Sequence, residues 1–229
     1  MGSIGTAPAA NRKHAAPKVR ADATRNRERI ISAAREAFVI HGADAPLDEI
    51  ARHAGIGNAT LYRHFPDRDA LVRGVVLAVT DRIATRARAA IQEATAEAGG
   101  GGDGAAFEAV RRFVFGAVEE RVGALCPMLS ARFDKVDPEL LAARQRLEGL
   151  VEELIDRAQR AGELRPDVAV GDLMVALSQL TRPLPGSGCA EIGRFVDRHL
   201  QLFLDGLRAP ARSTLPGHAA TLEELRKGS

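Results

Sequence analysis

Tryptophan is absent from this sequence, tyrosine occurs once (Tyr62) and cysteine twice (Cys126 and Cys189). Two distant cysteines supply neither a disulfide framework nor a metal-binding spacing, and they fit small apolar core residues in a reducing compartment. Because the single tyrosine lies near the N-terminal end, a ligand pocket further along must do its aromatic stacking with phenylalanine. No apolar run approaches the ~18 residues of a membrane span, and no secretory signal opens the chain, so a cytoplasmic location without membrane contact is expected. The opening Met1-Gly2-Ser3-Ile4-Gly5-Thr6 fits the loose N-myristoylation pattern, but nothing else supports lipid attachment. No nucleophile–base pair and no metal-ligand cluster can be assembled from the spacing, which argues against an enzyme and leaves no cofactor or metal implied.

What remains is rich in Ala, Leu, Arg and Glu, and β-branched residues rarely alternate with polar ones, so an all-α fold is expected. The net charge of +2 is too small to announce a nucleic-acid partner, but its distribution is uneven. Between Asn11 and Arg29 seven bases face two acids, a local charge of +5, and the rest of the chain is mildly acidic. That asymmetry suits an end that meets phosphate, although a solubilising tail would look the same.

Residues 1–24 lack apolar periodicity and read as a disordered basic arm. A helix follows from about Asn26 to His41, with Ile30, Ala33, Ala34, Ala37 and Phe38 on one face, and Gly42 at its end. Two short helices come next, about Leu47–Ala54 and Asn58–His64, separated by Gly55. Pro66 stops the second, and Asp67 can cap a long helix from Arg68 to about Ala98. After the glycine-rich stretch 99–104, further helices are predicted over about 105–122, 126–133, 138–161, 168–181 and 189–208. Residues 209–229 read as a flexible tail. The expected organisation is therefore an arm (1–24), a head (25–72), a helical body (73–208) and a tail.

The stretch Leu47–Phe65 carries the chemistry. Helices this short must pack on a neighbour to survive. Ile50, Ala54, Ile56 and Leu61 supply apolar contacts, Ala51 is small where two helices approach closely, and Gly55 permits a positive φ at the turn. Together these describe a helix-turn-helix, whose second helix enters the major groove of DNA. Its early residues are small or hydrogen-bonding. Asn58 can read adenine, and Ala59 and the Thr60 methyl can touch a thymine methyl. Tyr62, Arg63 and His64 face phosphates, while Phe65 turns inward.

Ile50-Ala51, Ala54-Gly55-Ile56, Thr60-Leu61-Tyr62, His64-Phe65 and Arg68-Asp69-Ala70-Leu71 resemble the signature of TetR-family regulators, over roughly residues 26–72. The resemblance implies a homodimer with a three-helix DNA-binding head, a linking helix and a ligand-responsive body. It places Asn58, Ala59, Thr60, Tyr62, Arg63 and His64 on the recognition helix and gives Arg68 a phosphate contact. Two departures stand out. Pro46 occupies a position where the family usually has Thr; it suits a first helical position but offers no hydroxyl. Asp48 would repel the DNA backbone unless it accepts a hydrogen bond from cytosine or from helix N–H groups.

In the body, Phe113, Met128 and Phe133 can line an apolar pocket with Arg112, Arg132 and Gln179 orienting a ligand, or they can simply be core. The last two helices offer apolar stripes for a dimer surface: Leu173, Leu177 and Leu180 on one, Phe195, His199 and Phe203 on the other. The expected function is a sequence-specific regulator that binds a palindromic operator in double-stranded DNA, a repressor released by a small-molecule effector. Two alternatives stay open: a dimeric DNA-binding protein without effector, and a helical ligand-binding protein with a degenerate head.

Overall fold

A computed structural model of the chain describes residues 15–98, 104–120, 137–181 and 189–221. These residues form eight α-helices and no strand, the all-α fold expected. The head comprises α1 (Ala15–His41), α2 (Leu47–His53) and α3 (Asn58–His64). The linking helix is α4 (Arg68–Ala98), and the body adds α5 (Ala105–Glu119), α6 (Pro138–Arg160), α7 (Val170–Leu180) and α8 (Cys189–Leu207). The helix predicted over 126–133 lies outside the described residues.

Local chemistry sets most of the boundaries. Helix α1 ends at Gly42, whose φ of 69° suits a residue without Cβ. Asp67 Oδ1 accepts from the Ala70 amide at 2.7 Å and starts α4. Asp137 does the same for α6, accepting from the amides of Glu139 and Leu140 at 3.0 and 3.2 Å, with Pro138 in the first helical position. Helix α5 has no local side-chain cap. Its first amides donate instead to Glu163, from Gly104 at 3.0 Å and from Phe107 at 2.6 Å. That distant carboxylate also faces the positive end of the helix dipole.

Helix α4 is the axis of the molecule. At 1.5 Å per residue its 31 residues span roughly 46 Å. Its N-terminal half buries Leu71, Val72, Val75 and Val79, continuous with Ile30, Ala34 and Phe38 of α1. Its C-terminal half buries Ala84, Ala87, Ala90 and Ala94, small side chains that let α5 and α6 approach closely, together with Ile91. On those helices Phe107, Val110, Phe113, Val114, Leu140, Val151 and Leu154 complete one continuous core.

Two boundaries differ from the sequence-based expectation. Helix α1 begins at Ala15, about three turns ahead of Asn26, so residues 15–24 of the supposed arm are helical. The segment's Ala, Lys and Arg residues favour helix by intrinsic propensity. Residues 209–221 of the supposed free tail are docked on the body. The Ala209 amide donates to Glu163 O at 3.0 Å, and Arg165 Nη2 donates to Ser213 O at 2.8 Å. Ala220 O accepts from the Gly171 amide at 2.9 Å, and the Ala220 amide in turn donates to Asp172. Arg165 is 4% exposed and also holds Asp167 and Gly206 O, so a buried guanidinium anchors the segment.

Candidate nucleic-acid interface

Helices α2 and α3 are seven residues each and owe their position to neighbours. Ile50, Ala51, Ala54 and Leu61 are buried, with α2 packed on both α1 and α3, and Phe65 is 2% exposed beyond the end of α3. The turn between them passes through Gly55 at φ 64°, with the Ile56 amide donating to Ala51 O at 3.0 Å. Arg29 on α1 lies over this turn and donates from Nη2 to Gly55 O at 3.3 Å. Arg27 lies 4.6 Å from the centre of the Phe65 ring. A Cβ on Gly74 of α4 would come within 2.7 Å of Phe65 Cε1, so glycine lets that ring seat against α4. Two bases of the N-terminal flank therefore brace the head: one guanidinium closes the turn, and the other stacks on an aromatic face.

This packing leaves one side of α3 outward. Asn58, Ala59, Tyr62 and Arg63 are exposed, Thr60 and His64 half-buried, and none of them belongs to the core. Pro46 stands at the N-cap of α2, one position before the helix, and gives it no side-chain hydrogen bond. Asp48 lies in the first turn of α2, and Asn58 Nδ2 donates to its Oδ1 at 2.7 Å. Arg68 was expected as a phosphate contact. Its Nη1 is committed to the protein, donating to Ala43 O at 2.7 Å and Ala45 O at 2.6 Å. It thereby clips the α1–α2 connection to the start of α4, and among the described residues Nε and Nη2 stay uncommitted.

Two ion-pair clusters tie the linking helix to the body, and neither was legible in sequence because the partners lie far apart along the chain. Arg73 of α4 bonds Asp137 and reaches Glu139 Oε2 at 2.5 Å, at the N-terminus of α6. The Arg73 guanidinium holds the Asp137 carboxyl below its ordinary range. Glu120, 4% exposed just past α5, gathers three arginines. Oε2 accepts from Arg35 Nη1 of α1 at 2.8 Å and Arg82 Nε of α4 at 2.7 Å, and Oε1 accepts from Arg86 Nη2 at 3.3 Å. Burial alone would push this carboxyl up, but the Arg82 hydrogen bond and the charges of Arg82 and Arg35 outweigh it, and the net shift is downward. One buried carboxylate thus joins head, linking helix and body.

For the body the sequence left a pocket reading and a core reading open. Phe113 is 1% exposed and part of the core, and Gln179 is exposed on the outer face of α7. Arg112 bonds Glu97 and Glu93 across α4 and α5 rather than entering a pocket. Met128, Arg132 and Phe133 lie outside the described residues. A cavity of about 290 Å³ lies elsewhere, at the end of the body away from α3. Its walls are mainly Ile91, Ala94, Ala106, Ala109 and Leu154, with Thr95, Arg157 and Glu163 as its polar lining.

Among the expected interface residues, Leu173 and Leu177 are each 1% exposed within the single chain. They are core residues, since α7 turns that stripe onto α5 and α6; Leu180 and Phe203 also pack against the core, half-buried. Among the described side chains of α7 and α8, the large apolar ones left exposed are Val175, Phe195 and Leu202, and His199 is exposed one turn after Phe195. Among the described residues no helix is long and apolar enough to cross a membrane.

Comparison with known proteins agrees with this geometry. Residues 30–75 match the family described as bacterial regulatory proteins, tetR family, and residues 103–209 match the SbtR-like transcriptional regulator C-terminal domain. A TetR transcription regulatory protein of Mycobacterium vanbaalenii is 31% identical, with 83% of this chain and 99% of that chain covered and a TM-score of 0.52. A TetR transcriptional regulator of Streptomyces coelicolor is 29% identical, over 81% of this chain and 99% of that one, with a TM-score of 0.59. The HTH-type transcriptional regulator SrpR of Pseudomonas putida is 44% identical over 62 residues, which cover 27% of this chain and 29% of that protein. The match thus spans less than a third of that curated relative. With a matched head, a matched body and a full-length structural counterpart, the chain belongs to the TetR family of bacterial transcriptional regulators.

Proposed function

We propose that the protein is a homodimeric repressor that reads a palindromic operator with α3 and leaves it when a small apolar molecule occupies the body. The observation that carries this reading is the outward face of α3. Asn58, Ala59, Tyr62 and Arg63 are exposed and Thr60 and His64 half-buried, on a helix whose Leu61 is buried together with Phe65 just beyond its end. Small and hydrogen-bonding groups at the start of such a helix suit base edges, and the following Tyr62, Arg63 and His64 suit phosphates. Arg68 adds its remaining N–H groups at the base of α4. In this reading the DNA-binding head, expected over 25–72, takes in the whole of α1 from Ala15, the body, expected over 73–208, takes in the docked segment to 221, and DNA as the partner puts the protein in the cytoplasm.

Phe195, His199 and Leu202 recur at helical spacing on the exposed side of α8 and supply an apolar surface for a two-fold mate. The cavity between α4, α5 and α6 supports the effector half of the reading over a constitutive DNA-binding protein. Its walls are mainly apolar with a few polar groups among them, the usual make-up of a small-molecule site. The decisive experiment is an electrophoretic mobility shift on the intergenic DNA beside the gene, repeated with apolar metabolites that raise the melting temperature. Retarded DNA released by such a compound is the expected result. Absence of any specific complex would remove the DNA-reading role, and a complex that no stabilising compound dissociates would leave a constitutive regulator.

A further inference from the structure

The bond between Asp48 and Asn58 fixes which atoms the head offers to a base. The two residues come from different helices, both are exposed, and Asn58 Nδ2 donates to Asp48 Oδ1 at 2.7 Å. A carboxylate accepts hydrogen bonds and cannot donate them. The amide of Asn58 must therefore turn its nitrogen toward Asp48 and its Oδ1 away. A lone asparagine at this place can present either end; this one is held in a single orientation. The outward groups of the pair are then dominated by acceptors, Asn58 Oδ1 and the second oxygen of Asp48.

In the major groove the donors are the exocyclic amino groups, N4 of cytosine and N6 of adenine, whereas guanine and thymine turn carbonyl oxygens to the same place. Resting on the reading of α3 as the base-facing helix, we propose that Asp48 and Asn58 act as one unit that selects an amino-bearing base, cytosine or adenine, against guanine and thymine at one position of each half-site. Asn58 contacts the base, and Asp48 is its positioning residue. The negative charge of Asp48, which weakens attraction to phosphate on every sequence, is retained in exchange for discrimination at this one.

The test is selection of bound duplexes from a random pool by the full-length protein and by D48N, D48A and N58A. The position in question is the one at which N58A loses its preference. Wild type is expected to hold cytosine or adenine there. D48N, which keeps the shape but lets the amide turn over, is expected to reduce that preference about tenfold, within the range one good base contact supplies. D48A should show the same loss while binding non-specific DNA more tightly. A wild-type pool with guanine or thymine at that position overturns the inference. So does a D48N or D48A pool with the wild-type preference and uniformly higher affinity, since Asp48 would then act through charge alone. N58A with an unchanged consensus overturns it as well. If the wild-type protein enriches no sequence at all, the base-facing reading of α3 falls, and the inference with it.

Discussion

Replacing Glu120 tests the internal wiring of the molecule most directly. Its side chain is 6% exposed and accepts two short charged bonds, from Arg35 at 2.8 Å and Arg82 at 2.7 Å, with Arg86 at 3.3 Å as a third partner. Hydrogen bonds to charged groups contribute about 1.5–3 kcal/mol each. The three arginine side chains are 25%, 39% and 38% exposed, so they regain water when released, and the total stays below the ~3–5 kcal/mol of breaking a fully buried pair. Glu120→Gln keeps one acceptor oxygen but turns an NH₂ toward arginine, for an expected loss of about 2 kcal/mol; Glu120→Ala loses about 3 kcal/mol. For a chain of this size the Gln variant should melt about 4–8 °C below wild type.

The assay is thermal and urea unfolding followed by circular dichroism, at several pH values. In the folded protein this carboxyl titrates below its ordinary range, so the unfolded chain takes up a proton first as pH falls. The wild-type advantage over Glu120→Gln is then complete above about pH 5 and shrinks as pH drops through the folded value. A gap of zero at pH 7, or a gap of constant size down to pH 3.5, would refute the role given to the carboxylate.

Other substitutions separate the remaining roles. Tyr62→Ala should weaken binding on operator and random DNA alike with unchanged melting, as measured by fluorescence anisotropy; a loss confined to operator would make Tyr62 a base reader. Arg68→Ala should weaken all DNA binding and also lower stability by about 1–3 kcal/mol, because it releases the Ala43 and Ala45 carbonyls; unaltered melting would show the clip to be energetically idle. A Cβ at Gly171 would lie 2.2 Å from Ala220 O, so Gly171→Ala should displace the docked segment and speed proteolysis within residues 210–221. Equal cleavage rates would show that the docking has no hold in solution. Phe195→Asp should convert a dimer to monomer by light scattering, with operator binding shifted to higher protein concentration, and an unchanged mass would take α8 out of the interface.

Most of this protein is written in local patterns. Gly42, Gly55, Pro66-Asp67 and Asp137-Pro138 punctuate the chain through backbone and capping chemistry that acts within a few residues, so the ends of α2 through α4 and the start of α6 could be placed from sequence. The head was legible for the same reason, because two seven-residue helices around a glycine turn leave little freedom. Other features belong to the tertiary structure. A 3.6-residue stripe records that a helix face is apolar, not which neighbour covers it, so Leu173 and Leu177 of α7 read as interface although they are core. The Glu120 cluster joins residues 34 to 85 positions apart, and no spacing rule links them. Asn58 and Asp48 are individually visible in sequence, but the 2.7 Å bond that fixes the amide exists only once α2 and α3 cross. Local chemistry set most helix ends, the starts of α1 and α5 apart; packing decided which helix faces remain for DNA, ligand and partner.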